Sequence, residues 1–127
     1  NRIQDTYILL NTLIEQNYDT FTINDVFNIQ NYFLKENNWR NVKSGYRTHN
    51  VSFNDTPHFF NVPEQINKLF PITIQQFYHK DTEIVKRKLL TFYKNVQTIH
   101  PLSDLNGRTF GTIVAYIYHM IISENVV

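Results

Sequence analysis

Ile99-His100-Pro101-Leu102-Ser103-Asp104-Leu105-Asn106-Gly107-Arg108 (residues 99–108) separates two segments of helical pattern, and the rest of the chain is read outward from it. Pro101 disfavours α geometry at the residue before it, so the helix arriving from the N-terminal side is expected to end at His100. That helix spans about Asp81 to Gln97 and is expected to bury Ile84, Leu89, Phe92, Tyr93 and Val96. On the other side, Asn106 and Gly107 open a final helix. Its apolar run from Phe110 to Ile122 carries His119. A membrane-spanning helix needs about 20 apolar residues. This run is shorter, so a buried C-terminal helix and no membrane span are expected.

Further upstream, Ile3, Tyr7, Leu10, Leu13 and Ile14 recur at helical spacing within Ile3 to Gln16 and define one expected core face. Thr22 and Asp25 form a capping-box-like start. The helix they open is expected to bury Val26, Ile29, Phe33 and Leu34, and to fade around Asn37 and Asn38. Val51-Ser52-Phe53 alternates, Asn54-Asp55 is turn chemistry, and His58-Phe59-Phe60 resumes an extended pattern. These features predict one short hairpin, which must pack on the helices because an isolated pair of strands is marginal in water. Pro63 and Glu64 suit the first turn of a helix covering about Pro63 to Phe70. The expectation is a mainly α fold with a small β-hairpin, in one domain covering residues 1–127 with a core of about 22–122.

Composition narrows the function. The 127 residues hold 12 Lys+Arg against 11 Asp+Glu, a formal net charge of +1, which lacks the basic excess of a dedicated nucleic-acid binder. With no cysteine, a disulfide framework, a thiolate zinc site and a cysteine nucleophile are all excluded. Asn1 to Thr6 has neither an apolar core nor a small-residue cleavage site, so no targeting segment is read there.

Chemistry concentrates in the stretch quoted first. His100 stands at a helix–loop junction, and an imidazole of ordinary pKa can take a proton from a hydroxyl at neutral pH. Asp104 is a hard oxygen ligand, suited to Mg²⁺ bound through few carboxylates together with substrate phosphates. The start of the last helix offers free N–H groups and a positive dipole end to an anion. Gly107 lets a phosphate approach the backbone, and Arg108 adds a charged donor fork. A base, a magnesium ligand and a phosphate cradle together point to phosphoryl or nucleotidyl transfer.

At these residues the chain resembles the Fic (filamentation induced by cAMP) family. The family signature reads H-P-F-x-(D/E)-G-N-(G/K)-R-x-x-R, and here it stands as H-P-L-S-D-L-N-G-R-T-F-G, matching at His100, Pro101, Asp104, Asn106, Gly107 and Arg108. Upstream, Gly45-Tyr46-Arg47, Val51-Ser52-Phe53, Phe59 and Pro63 are similar to the family's Gly/Arg stretch and hairpin flap, so the likeness covers about Thr22 to Ile122. The resemblance implies a Fic-like helical bundle and protein adenylylation: AMP moves from ATP, the co-substrate, to a Tyr, Thr or Ser hydroxyl of a target protein. It gives His100 the role of base and Asp104 that of Mg²⁺ ligand. Leu105, Asn106, Gly107 and Arg108 would hold the phosphates, and Val51, Ser52, Phe53 and Asn54 would form the flap that binds the target. It also implies a bacterial, cytoplasmic protein, with secretion as an effector left open.

Three positions depart from the signature. Leu102 replaces a core Phe. Leu105 stands where the anion loop has Gly, and Gly111 replaces the second Arg, which grips the terminal phosphate of ATP. These changes keep two alternatives open: a different donor, giving UMP, phosphate or phosphocholine transfer, and a nucleotide-binding or interaction module without efficient turnover. The family's inhibitory pattern (S/T)-x-x-x-E-(G/N) fits no position in these residues, which leaves a helix beyond their ends or an antitoxin-like partner as sources of inhibition. Outside the motif, Arg47 reads either as a surface salt bridge or as an anchor for the flap. His49 and His58 lack further spaced ligands to complete a metal site.

Overall fold

A computed structural model describes residues 2–36, 41–53 and 55–125, with side chains through Ser123. The order of elements is α1 (Arg2–Gln16), β1 (Thr20–Phe21), α2 (Ile23–Glu36), a 3₁₀ turn (Phe59–Asn61), α3 (Val62–Asn67), β2 (Ile72–Thr73), α4 (Ile74–Phe77), α5 (Thr82–Ile99) and α6 (Asn106–Asn125). The class is mainly α with one small antiparallel sheet.

Helix starts follow local chemistry. Asp25 accepts the Thr22 amide at 2.8 Å while the Thr22 hydroxyl accepts the Asp25 amide at 3.2 Å, the reciprocal pair that launches α2. Thr73 and Gln76 repeat the device at α4, with bonds of 3.3 and 3.1 Å. Asp81 caps α5 by accepting the Glu83 amide at 3.0 Å. The loss of α2 expected around Asn37 and Asn38 lies outside the described residues.

Helix α6 is the axis of the molecule, packed against α5, α1, α2 and α4. Its Phe110, Ile113, Tyr116, Ile117 and Ile121 are fully buried, and the Tyr116 hydroxyl donates to the Tyr18 carbonyl at 2.8 Å. From α2, Val26, Ile29, Phe33 and Leu34 enter the core as their spacing predicts. Among the described residues no helix is long and apolar enough to cross a membrane.

Three details differ from the sequence reading. On α1 the buried residues are Leu9 and Leu13, with Leu10 and Ile14 half-buried, whereas Ile3 is 69% and Tyr7 63% exposed. Ile3 and Tyr7 lie on the outward side of α1, while Asp5 and Thr6 in the same turns are half-buried. On α5, Leu89, Phe92 and Val96 are buried as expected, but Val85 rather than Ile84 completes that face, and Ile84 and Tyr93 are half-buried.

The sheet is also built from other residues. Thr20 pairs with Thr73 and Phe21 with Ile72, whereas 51–53 and 55–58 form no strand, Phe59–Asn61 is a 3₁₀ turn and Asn54 lies outside the described residues. The His58 ring caps that turn by accepting the Phe60 amide at 3.2 Å. Strand alternation of only three residues is outweighed here by side-chain ties to the backbone at both ends of the segment.

Leu89 and Leu90 are neighbours on α5 with opposite fates, 2% and 53% exposed. Leu89→Ala is expected to cost about 2–5 kcal/mol in urea unfolding, and Leu90→Ala less than about 0.5 kcal/mol.

Candidate functional site

Helix α5 stops where Pro101 predicts. His100 takes left-handed geometry (φ 50°, ψ 59°) as the cap, its amide donating to the Val96 carbonyl at 2.9 Å. Leu105 is also left-handed (φ 63°), so two non-glycine residues in this costly region bracket the loop 100–105. Something must hold such a loop in place.

Arg47 does much of this. Its side chain is 2% exposed, and its guanidinium donates to four carbonyls: His100 at 2.6 Å, Ile99 at 3.2 Å, His49 at 2.9 Å and Pro57 at 2.6 Å. The first two are orphan acceptors at the end of α5, where a cation is favoured. The other two pull both ends of the 49–57 segment onto the same group, in place of the ladder a hairpin would need. The backbone adds a short antiparallel match, with Arg47 N–H to Pro101 O and Ser103 N–H to Gly45 O, both 2.9 Å, around a Tyr46–Leu102 bridge. Gly45 has φ 127°, a conformation that needs glycine.

A second clamp was not apparent from the sequence. Gln30 is fully buried on α2; its amide nitrogen donates to Ser103 Oγ (2.9 Å) and to the Asp104 carbonyl (3.0 Å), and its oxygen accepts the Gly45 amide (2.8 Å). Ser103 Oγ in turn donates to the Lys43 carbonyl at 2.7 Å. The available signal is a polar residue set in the apolar stripe of Val26, Ile29, Phe33 and Leu34.

Within this frame the candidate residues divide. The His100 ring is half-buried, meets the Phe53 ring edge-on at 5.0 Å between centroids, and has no hydrogen-bond partner among the described residues. Burial lowers its pKa below the usual 6.5, the Arg47 and His49 charges act in the same direction, and Asp104 opposes them. Asp104 is exposed, with one oxygen accepting the Leu105 amide at 2.7 Å. The first-turn amides of Asn106, Gly107 and Arg108 find no acceptor among the described residues, as expected at a helix start. Val51 is half-buried, Ser52 and Phe53 are exposed, and Asn54 lies outside the described residues.

Other motif side chains are engaged in holding the fold. The Asn106 amide closes the loop on itself, accepting from Leu102 N–H (2.8 Å) and donating to Leu102 O (3.1 Å). A Cβ at Gly107 would sit 3.3 Å from Gln97 Nε2 and 3.5 Å from the Tyr93 hydroxyl, a tight fit against side-chain ends of α5. Arg108 turns to α1, donating to the Arg2 carbonyl at 2.6 Å, with Asp5 at 3.9 Å and the guanidinium 4.1 Å above the Phe33 ring.

No group of three or more His, Asp or Glu side chains placed to hold a metal occurs among the described residues. The donor set therefore does not fit an all-protein cage. A single exposed carboxylate, Asp104, fits a Mg²⁺ that completes its shell with substrate oxygens and water. Compared with known proteins, the chain matches no family model, no curated protein and no solved structure.

Arg47→Lys tests the clamp. An ammonium cannot reach four carbonyls arranged around a planar fork, so the variant is expected to lose about 3 kcal/mol in denaturant unfolding. Heteronuclear NMR should show the changes concentrated at residues 99–103 and 49–57.

Proposed function

We propose that the chain is a Fic-type transferase that moves AMP from ATP to a hydroxyl of a target protein, with His100 as general base. The observation that carries this reading is the His100 imidazole. It is held on a left-handed cap, has no hydrogen-bond partner among the described residues, and has its pKa lowered mainly by burial. A structural histidine would be expected to bond through its ring. This one is neutral at pH 7 and able to accept a proton.

In the proposed reaction the target oxygen attacks the α-phosphorus of ATP and the new P–O bond forms. The bond to the bridging oxygen breaks, pyrophosphate leaves with that electron pair, and the hydroxyl proton passes to the free ring nitrogen of His100. The amides at the start of α6 would meet the developing charge on the phosphate. Asp104 would hold Mg²⁺, which supplies charge neutralisation on the phosphates. Phe53, lying against the His100 ring, would border the incoming target segment.

A second reading is favoured by specific contacts. Asn106 is tied to Leu102 and Arg108 to α1, and position 111 carries no charge, so the grip on a triphosphate is weak. This supports either a donor without a γ-phosphate or a nucleotide-binding module of low turnover.

Calorimetric titration of ATP, ADP and CDP-choline with Mg²⁺, paired with transfer of labelled AMP, separates the two. Asp104→Ala is expected to remove the magnesium dependence of binding. His100→Ala should lower transfer by about 10²–10⁴-fold while leaving nucleotide affinity unchanged. Because the His100 pKa is lowered, transfer should be flat around pH 7 and fall only as pH drops through a midpoint below 6.5. Wild-type protein that binds none of the three nucleotides would sink the catalytic reading.

A further inference from the structure

We propose that Arg47 is the positioning residue of His100: it fixes the two peptide planes that flank the base and so sets the direction of its imidazole. The proposal rests on the transferase reading above and extends it to a buried residue. A residue's φ and ψ, and with them the direction of its Cα–Cβ bond, are set by the planes on either side. Arg47 holds three consecutive carbonyls across that point. Its guanidinium donates to Ile99 O at 3.2 Å and to His100 O at 2.6 Å, and its main-chain N–H donates to Pro101 O at 2.9 Å.

The plane that follows His100 depends on Arg47 most. Pro101 has no N–H, so the His100 carbonyl is the one hydrogen-bonding group in that plane, and Arg47 Nε is its partner among the described residues. The preceding plane has a second tie, the His100 amide to Val96 O at 2.9 Å. The geometry held between them (φ 50°, ψ 59°) is one that a residue with a side chain adopts only at a cost. Before proline, extended backbone is otherwise favoured. Released from Arg47, His100 would swing toward that extended region, and its Cβ and ring would turn with it.

The same guanidinium places the neighbour of the base. It donates to His49 O at 2.9 Å and Pro57 O at 2.6 Å, either side of Phe53, whose ring meets the imidazole edge-on at 5.0 Å between centroids. The base and the ring that borders it are therefore referred to one group. A planar fork with fixed donor directions can meet carbonyls on both sides at once, which an ammonium on a flexible stem cannot. Geometry of this kind matters to a general base, because a displacement of about 1 Å at the reacting atoms can cost about 10²-fold in rate.

Arg47→Lys keeps the charge and loses the fork. Assayed below its melting temperature, it is expected to transfer labelled AMP with kcat lower by about 10²-fold and ATP affinity unchanged. The nuclear Overhauser contact between the Phe53 and His100 rings should disappear. Leu89→Ala, destabilised by a core cavity instead, should keep both the wild-type kcat and the ring contact, which separates positioning from lost stability. The wild-type protein gives a further reading that needs no variant: the Arg47 Nε–H should exchange slowly and its Nη protons should resolve as separate signals. A freely rotating guanidinium, a ring contact that survives in Arg47→Lys, or an unchanged kcat there would each overturn the proposal. If Arg47→Lys does not fold, the wild-type guanidinium signals decide. If the wild type transfers no AMP, the reaction reading falls, and the ring contact alone decides whether Arg47 positions His100: its loss in Arg47→Lys upholds the assignment and its survival overturns it.

Discussion

The buried guanidinium of Arg47 ties the end of α5, at Ile99 and His100, to both ends of the segment 49–57. No carboxylate forms an ion pair with it among the described residues, and burial lowers its pKa. The charge is stabilised by oriented peptide dipoles instead. Removing any one of those carbonyls from reach would leave the cation short of a partner in a poorly solvated site, so the four contacts reinforce one another. Gln30 performs the complementary task from α2, neutral where Arg47 is charged.

Features governed by neighbours in sequence were legible from the sequence. Pro101 marks the end of α5, the Thr22–Asp25 pair marks the start of α2, and the spacing of Val26, Ile29 and Phe33 marks its buried face. Features governed by distant partners were not. Val51-Ser52-Phe53 looks like a strand until Arg47 is known to hold both ends of its segment. The true pairing of 20–21 with 72–73 leaves almost no alternation to read, because each strand is two residues long. Likewise, nothing local distinguishes Ile84 from Val85; the docking of α5 on α6 chooses between them.

The candidate site divides along the same line. The position of His100 follows from its own neighbour, Pro101. The direction of Arg108 does not, because the groups that draw it away come from α1, more than a hundred residues earlier. Asn106 has a demanding structural duty beside any functional one, closing the 102–106 loop. A motif read as a string assigns each letter one role. In the fold, the same letters also hold the scaffold together, and a side chain engaged in that way is not free to grip a ligand.

The ties that hold the loop 100–105 reach back to residues 30, 43, 45 and 47, so its geometry depends on contacts that close long stretches of chain. Such contacts are costly to form early and tend to be completed late in folding. The imidazole at position 100 therefore acquires its surroundings only after α2, the 43–47 segment and α6 have docked. During synthesis on the ribosome, a chain that has not yet released α6 holds the histidine but not its environment.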